Sequence, residues 1–238
     1  MGAALSEALG LDDCPTGSRL LGAAYLGASV GVSAVSLRRP CAEHFLCCLH
    51  TVFQRRNVWA LLTSAWYRPL RSTMDAMTLL SELYVAKEDL TGLEVEVGSA
   101  RFLTWSIMTT AGVNVVFLAL MKFMGGVGVK GTRFSCIQGL WPLVMARACS
   151  RALRDPPQLQ RGVFGLARVP SRWYPFALAV GLSALHGSVQ WDTLAAVVYG
   201  YACGYARVED RLLLSRQRAQ ALEDGWVVRL LRAAVGGC

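Results

Sequence analysis

Leu20–Leu37, LLGAAYLGASVGVSAVSL, runs for 18 residues without a charge and closes on Arg38-Arg39-Pro40. An apolar helix of this length is enough to cross the hydrocarbon core of a bilayer. Ten of the 18 residues are Gly, Ala or Ser, the composition that lets helices approach closely in lipid. Upstream, Met1–Thr16 holds Glu7, Asp12 and Asp13 and no Lys or Arg. It lacks the basic start of a secretory signal and the Arg-rich character of a mitochondrial transit peptide. The first apolar segment is therefore expected to be a retained span.

The rest of the 238 residues reads the same way. Hydrophobic residues make up 54% and charged ones 17%, whereas soluble domains carry about 25% charged residues. Mean hydropathy is +0.38. A second, weaker span is expected over Ser72–Ala86, with Asp75 and Glu82 on one helix face, followed by an acidic, polar loop from Lys87 to Arg101. Phe102–Met124 is a third span, a glycine-rich turn follows at Gly125–Gly131, and Phe134–Ser150 is a short fourth. A basic loop, Arg151–Arg172, leads to spans at Trp173–Leu185 and Asp192–Ala206, joined by a tight turn at His186–Gln190. Before the second span, Cys41–Val58 reads as an amphipathic interfacial helix, and Trp59–Pro69 carries the aromatics of a bilayer interface. The expected class is an all-α membrane protein of about six spans. Its organisation is an N-terminal segment 1–19, a membrane domain 20–206 and an amphipathic tail 207–238. With six spans both termini share a side, and that side would hold 15 of the 24 Lys and Arg, which places it inward. The +8 net charge then reflects orientation and lipid headgroups. No basic run interleaved with aromatics points to nucleic acid.

Several motifs have a chemical and a structural reading. Gly27-Ala28-Ser29-Val30-Gly31 is a literal G-x-S-x-G, a pattern that serves hydrolases at a strained strand-to-helix turn. Here it lies inside an apolar helix, and a serine nucleophile needs a base within hydrogen-bond reach. Gly27 and Gly31, like Gly200 and Gly204, are read as G-x-x-x-G helix-packing pairs. Cys41, His44, Cys47, Cys48 and His50 fall within ten residues. Such donors suit zinc, but the spacing matches no common zinc module. Lipidation of Cys47 or Cys48 is a second reading, and plain packing the favoured one. Asp75 and Glu82 could line an ion path, but pairing with Arg68 or Arg71 is the expected role.

Three blocks carry a family resemblance. Pro15-Thr16-Gly17-Ser18-Arg19 precedes the first span. Val52-Phe53, then Asn57-Val58-Trp59-Ala60-Leu61-Leu62-Thr63-Ser64 and Arg68-Pro69-Leu70, follow it. Gly165-Leu166, Pro175-Phe176-Ala177-Leu178 and Asp192-Thr193-Leu194 to Gly200 close at Glu209-Asp210. In this order, over about residues 15 to 210, the chain resembles the Derlins, the rhomboid-like pseudoproteases. Trp59, Thr63, Pro69, Glu209 and Asp210 stand at the family's motif positions. The family's Trp-Arg pair reads Trp59-Ala60 here, and its Gly-His reads Gly200-Tyr201. The resemblance implies a rhomboid-like bundle without catalysis and without a cofactor, metal or small-molecule substrate. With the departures, the expected role is a structural accessory subunit of a larger membrane complex, in the mitochondrial inner membrane. The alternative is a Derlin-type component of endoplasmic reticulum quality control that aids retrotranslocation of misfolded proteins. The expected partners are the lipid bilayer and other membrane subunits.

In the tail, Leu222, Trp226 and Leu230 recur at four-residue steps with Val227 and Leu231 alongside, opposite Arg216, Arg218, Glu223, Asp224, Arg229 and Arg232. Such a stripe needs cover, and interfaces favour tryptophan and arginine. The tail could lie on lipid headgroups or dock on a partner subunit through Leu222, Trp226 and Leu230, and the acidic pair Glu223-Asp224 favours the partner. Truncation after Asp210 should leave the bundle in the membrane but release it from its assembly. Native electrophoresis checks this, and unchanged co-migration of the truncated chain would refute it.

Overall fold

Helix α1, Thr16–Ser36, starts with no acidic residue in its own first turn. Its orphan N–H groups are met from far along the chain: Gly17 N and Ser18 N donate to the Glu94 carboxylate at 2.6 and 2.5 Å. An anion at a helix N-terminus satisfies those donors and complements the macrodipole. The computed structural model describes residues 15–36, 45–163 and 167–206. The tail residues Glu209, Asp210, Leu222, Trp226 and Leu230 lie outside them, as do Cys41 and His44.

Glu94 belongs to α3, Thr73–Val97, which follows a short helix α2, Ala60–Thr63, and an extended stretch. A capping box opens α3: Ser72 Oγ accepts from Asp75 N at 3.2 Å and Asp75 Oδ2 accepts from Ser72 N at 2.9 Å. Leu79, Leu83, Ala86, Leu90 and Leu93 then form a buried stripe at alternating four- and three-residue steps. This corrects the acidic loop expected from Lys87: the helix continues to Val97, with its charges on the faces flanking the stripe. Gly98, at φ 89°, breaks the helix and turns the chain into α4, Ser99–Gly126.

α5, Trp141–Arg154, starts with Pro142 in its first turn, where the missing N–H costs nothing. It is shorter than the span expected over Phe134–Ser150. It is buried from Pro142 through Ala146 and packs on α3, α4, α6 and α7. Arg147 pairs with Glu96 at 2.9 Å and Arg151 with Asp89 at 3.1 Å, so the acids of α3 meet the arginines of α5. α6, Tyr174–His186, and α7, Trp191–Tyr205, follow, joined through Gly187 in the left-handed region. One apolar core joins α1, α3, α4 and α5 around Tyr25, Leu83, Phe102 and Leu143. A second joins α4, α5, α6 and α7 around Phe117, Met145, Ala179 and Ala196.

Three further expectations are corrected. The described part of the interfacial helix expected over Cys41–Val58 is one wide helical turn, His50–Gln54, after a segment that pairs with Ile137. The basic loop Arg151–Arg172 contains an antiparallel hairpin, β1 (Gln160–Val163) on β2 (Ala167–Pro170). The first span, expected from Leu20, is a helix that already begins at Thr16.

α1 and α4 are long and apolar enough to cross a membrane. Close approach is concentrated at α7. A Cβ on Gly200 would meet Cys149 Cβ at 2.7 Å and the Ala146 backbone at 3.0 Å, and one on Gly204 would meet the Leu153 side chain. A Cβ on Gly112 of α4 would fall on the Tyr199 ring. Gly27 and Gly31 differ: they lie on the exposed face of α1, with no described atom within 4 Å of a Cβ built there.

Outside the helices, the Asp155 carboxylate receives Arg161 Nη2 at 2.7 Å, Arg161 Nε at 3.0 Å and the Ser171 hydroxyl. Burial pushes this carboxyl up, but the Ser171 donor and the Arg161 guanidinium outweigh it and hold the group below the ordinary carboxylate range. A depressed folded pKa gives stability that is complete above the unfolded value and lost as pH falls through the folded one. Amide exchange in Gln160–Val163, corrected for its intrinsic rate, should therefore accelerate in acid. Asp155→Asn should show the loosened hairpin already at neutral pH. Gly200→Leu should cost about 1–3 kcal/mol by overpacking, read as a lower melting temperature in detergent. Gly27→Leu should leave it unchanged.

Candidate functional site: a buried polar seam beside a groove

α1, α3 and the chain between α2 and α3 meet along a polar seam. After Tyr67 the backbone is extended along α1, held there by two serines: Arg68 N donates to Ser29 Oγ at 3.0 Å and Leu70 N to Ser33 Oγ at 2.9 Å. Ser29 is fully buried. The serine of the G-x-S-x-G pattern thus holds the 67–70 backbone against α1 through its side chain, and an extended segment without a strand partner finds its acceptors on a helix.

The anchored loop aims Arg68 at Glu82, which is 2% exposed. The Arg68 guanidinium and the Tyr25 hydroxyl both donate to its carboxylate in short contacts, and Leu140 N donates at 3.3 Å. Tyr25 is fully buried as well. Gly139 is required twice over. Its φ is +82°, and a Cβ there would sit 2.6 Å from Glu82 Oε2. Gly139 N is itself taken by Ser64 O and Tyr67 O, each at 3.1 Å. Glu82 is the acid that pairs with Arg68, while Asp75 is spent on the cap of α3 and on Arg71 N, 3.0 Å away. Three donors from three segments converge on this one carboxylate. Its chemistry here is to hold α1, α3, the 67–70 segment and the entry to α5 in one place.

Next to the seam an open groove of about 530 Å³ is lined by Cys48, His50, Pro69, Arg71, Asp75 and Cys136 among others. Pro69 thus faces the groove, whereas Trp59 is exposed and Thr63 donates back to Trp59 O at 3.0 Å. Cys47 is fully buried in the α4–α7 core. His50 lies against Phe134, ring centroids 5.8 Å apart. Among the described residues, no three His, Cys, Asp or Glu side chains are arranged to hold a metal.

Sequence reasoning missed three groups. Glu94 was assigned to a loop, although the heptad-like repeat of Leu79, Leu83, Ala86, Leu90 and Leu93 signalled a helix through it. Asn114 of α4, whose amide donates to Leu61 O and Ser64 Oγ at 2.7 Å each, was the one Asn inside a long apolar run. The facing of Cys48 and Cys136 had no local signal, since 88 residues separate them.

A scan of protein-family models and searches of curated proteins and of solved structures return no match to this chain.

Removing the Glu82 carboxylate strands Arg68, whose side chain is 16% exposed. Breaking one partner of such a buried pair costs about 3–5 kcal/mol. Glu82→Ala should therefore lower the detergent melting temperature sharply. Glu82→Leu with Arg68→Met should recover part of the loss, because the stranded charge is gone while the Tyr25 hydroxyl and Leu140 N still lack their acceptor. A double variant no better than the single one would refute the account.

Proposed function

We propose that the chain is a non-catalytic, polytopic membrane protein with a Derlin-like or rhomboid-like bundle, acting as an accessory subunit of a larger membrane complex. The supporting observation is how little of the apolar length of α1 and α4 the molecule itself covers. Only 28% and 39% of their most apolar windows are buried. Val30, Val35, Ile107, Met108, Val115 and Phe123 face outward at 40% exposure or more. A soluble protein rarely leaves contiguous apolar faces in water. Lipid or neighbouring subunits would cover them. Where side chains suited to chemistry are buried, in Ser29, Glu82, Glu94 and Asn114, each is bonded to the framework, which favours a structural role.

The short helices favour a second reading. At about 1.5 Å per residue, α6 and α7, with 13 and 15 residues, are shorter than a hydrocarbon core of about 30 Å. Short spans thin the bilayer around them, which suits Derlin-type retrotranslocation in the endoplasmic reticulum.

Alkaline carbonate extraction followed by native purification of the tagged full chain tests the proposal. The chain should stay in the membrane pellet and co-purify with fixed partners in constant ratio. Release into the carbonate supernatant would overturn membrane insertion. Migration as a lone chain would overturn the subunit role. Slowed turnover of misfolded endoplasmic reticulum proteins on depletion would favour the second reading.

A further inference from the structure

Ile137 N donates to Cys47 O at 2.9 Å, and the two residues pair as an antiparallel bridge. In an antiparallel ladder the neighbour of a hydrogen-bonded pair is the closely spaced one, with Cα atoms about 4.5 Å apart. By this register that neighbour is Cys48 with Cys136. A disulfide forms across Cα separations of about 4.4–6.8 Å. Both residues are free thiols, and both line the groove beside the polar seam. Thr51 Oγ lies 3.4 Å from Cys48 Sγ.

We propose that Cys48 and Cys136 are a redox-modification site, at which a hydroperoxide entering the groove converts the two thiols into one intramolecular disulfide. The Cys48 thiolate attacks the outer peroxide oxygen. An S–O bond forms, the O–O bond breaks, and the alcohol leaves with a proton, leaving a sulfenic acid on Cys48. The Cys136 sulfur then attacks Cys48 Sγ. The S–S bond forms as the S–O bond breaks, and hydroxide departs with the Cys136 proton as water. Two thiols lose two electrons and two protons, and the peroxide is reduced to alcohol and water.

The two positions are suited to different steps. The neighbouring Cys136 side chain, and then the Thr51 hydroxyl, hold the Cys48 thiol below the ordinary range, against the opposing push of burial. The thiolate is the reactive form. The adjacent Cys47 has its thiol pushed up to about 12 by burial and then by its neighbour Cys48, and it faces the core, which leaves it inert. The resulting bond would staple the segment before the His50–Gln54 turn to the segment that enters α5.

The test uses the full chain in detergent, treated with hydrogen peroxide, alkylated and mapped by mass spectrometry. A cross-linked peptide pair containing Cys48 and Cys136 is expected. It should be reversed by dithiothreitol and form at least about tenfold faster than in urea, because the fold supplies the proximity. Cys136→Ser should leave a sulfenic acid on Cys48 that dimedone traps, whereas Cys48→Ser should leave no adduct on Cys136. Both thiols remaining free under conditions that oxidise glutathione would overturn the proposal. So would an equal yield of another cysteine pair, or an equal rate in urea. The first measurement needs no variant, so misfolding of a mutant cannot mimic failure.

Discussion

The bundle depends on the charge of Glu82 being answered inside the protein. A carboxylate taken out of water costs several kcal/mol unless its partners are in place. Here they come from three separate parts of the chain: Tyr25 on α1, Arg68 on the 67–70 segment and Leu140 N ahead of α5. None can shift without uncovering the charge, so one group fixes the relative placement of all three. Gly139 is the backbone's side of the same constraint, since any side chain there would take the space of the carboxylate oxygens. Apolar packing between α1 and α3 tolerates sliding, and the polar seam does not.

On the other side of the molecule the principle changes from charge to size. α7 lies against α5 where Gly200 meets Ala146 and Cys149, and Gly204 meets Leu153. Gly112 lets the Tyr199 ring sit on the α4 backbone. Short helices have few residues with which to hold a partner, so each contact must bring backbones close. α5 links the two regimes. Its N-terminus is received by Glu82, its middle packs against glycine, and its last turns are tied by Arg147 and Arg151 to acids of α3.

What could be read from the sequence follows from how local each signal is. α1 and α4 declare themselves by uninterrupted apolar length, and their observed bounds lie within a few residues of those expected. The pairing of Glu82 with Arg68 was legible because an acid in an apolar helix demands a nearby cation. The extent of α3 was hidden: Glu88, Asp89, Glu94 and Glu96 look like loop polarity until Leu90 and Leu93 are seen to continue the stripe. The glycine pairs show how little spacing alone conveys. Gly27–Gly31 and Gly200–Gly204 have identical spacing, but spacing says nothing of which face meets a neighbour. Among the described residues the second pair meets a neighbouring helix, while the buried side of α1 carries Leu21, Tyr25 and Ser29 and leaves Gly27 and Gly31 facing outward. The β1–β2 hairpin was missed because its strands are four residues each, mostly exposed, and too short for a period to show.

The cap on α1 has a consequence for the order in which the chain is made. The residue that satisfies the first amides of α1 lies 77 positions later. During synthesis α1, the flanking loop and nearly all of α3 emerge before Glu94 exists. Until then Gly17 N and Ser18 N lack the carboxylate that receives them in the folded structure. The nascent helix has reason to fray there, or to borrow an anion from its surroundings. Arrival of Glu94, followed at once by the Gly98 turn, closes the α1–α3 pair from its far end. The last helical turn of α3 therefore acts as a latch on an earlier product of the ribosome, and insertions between residues 36 and 73 would delay that closure without touching any contact within it.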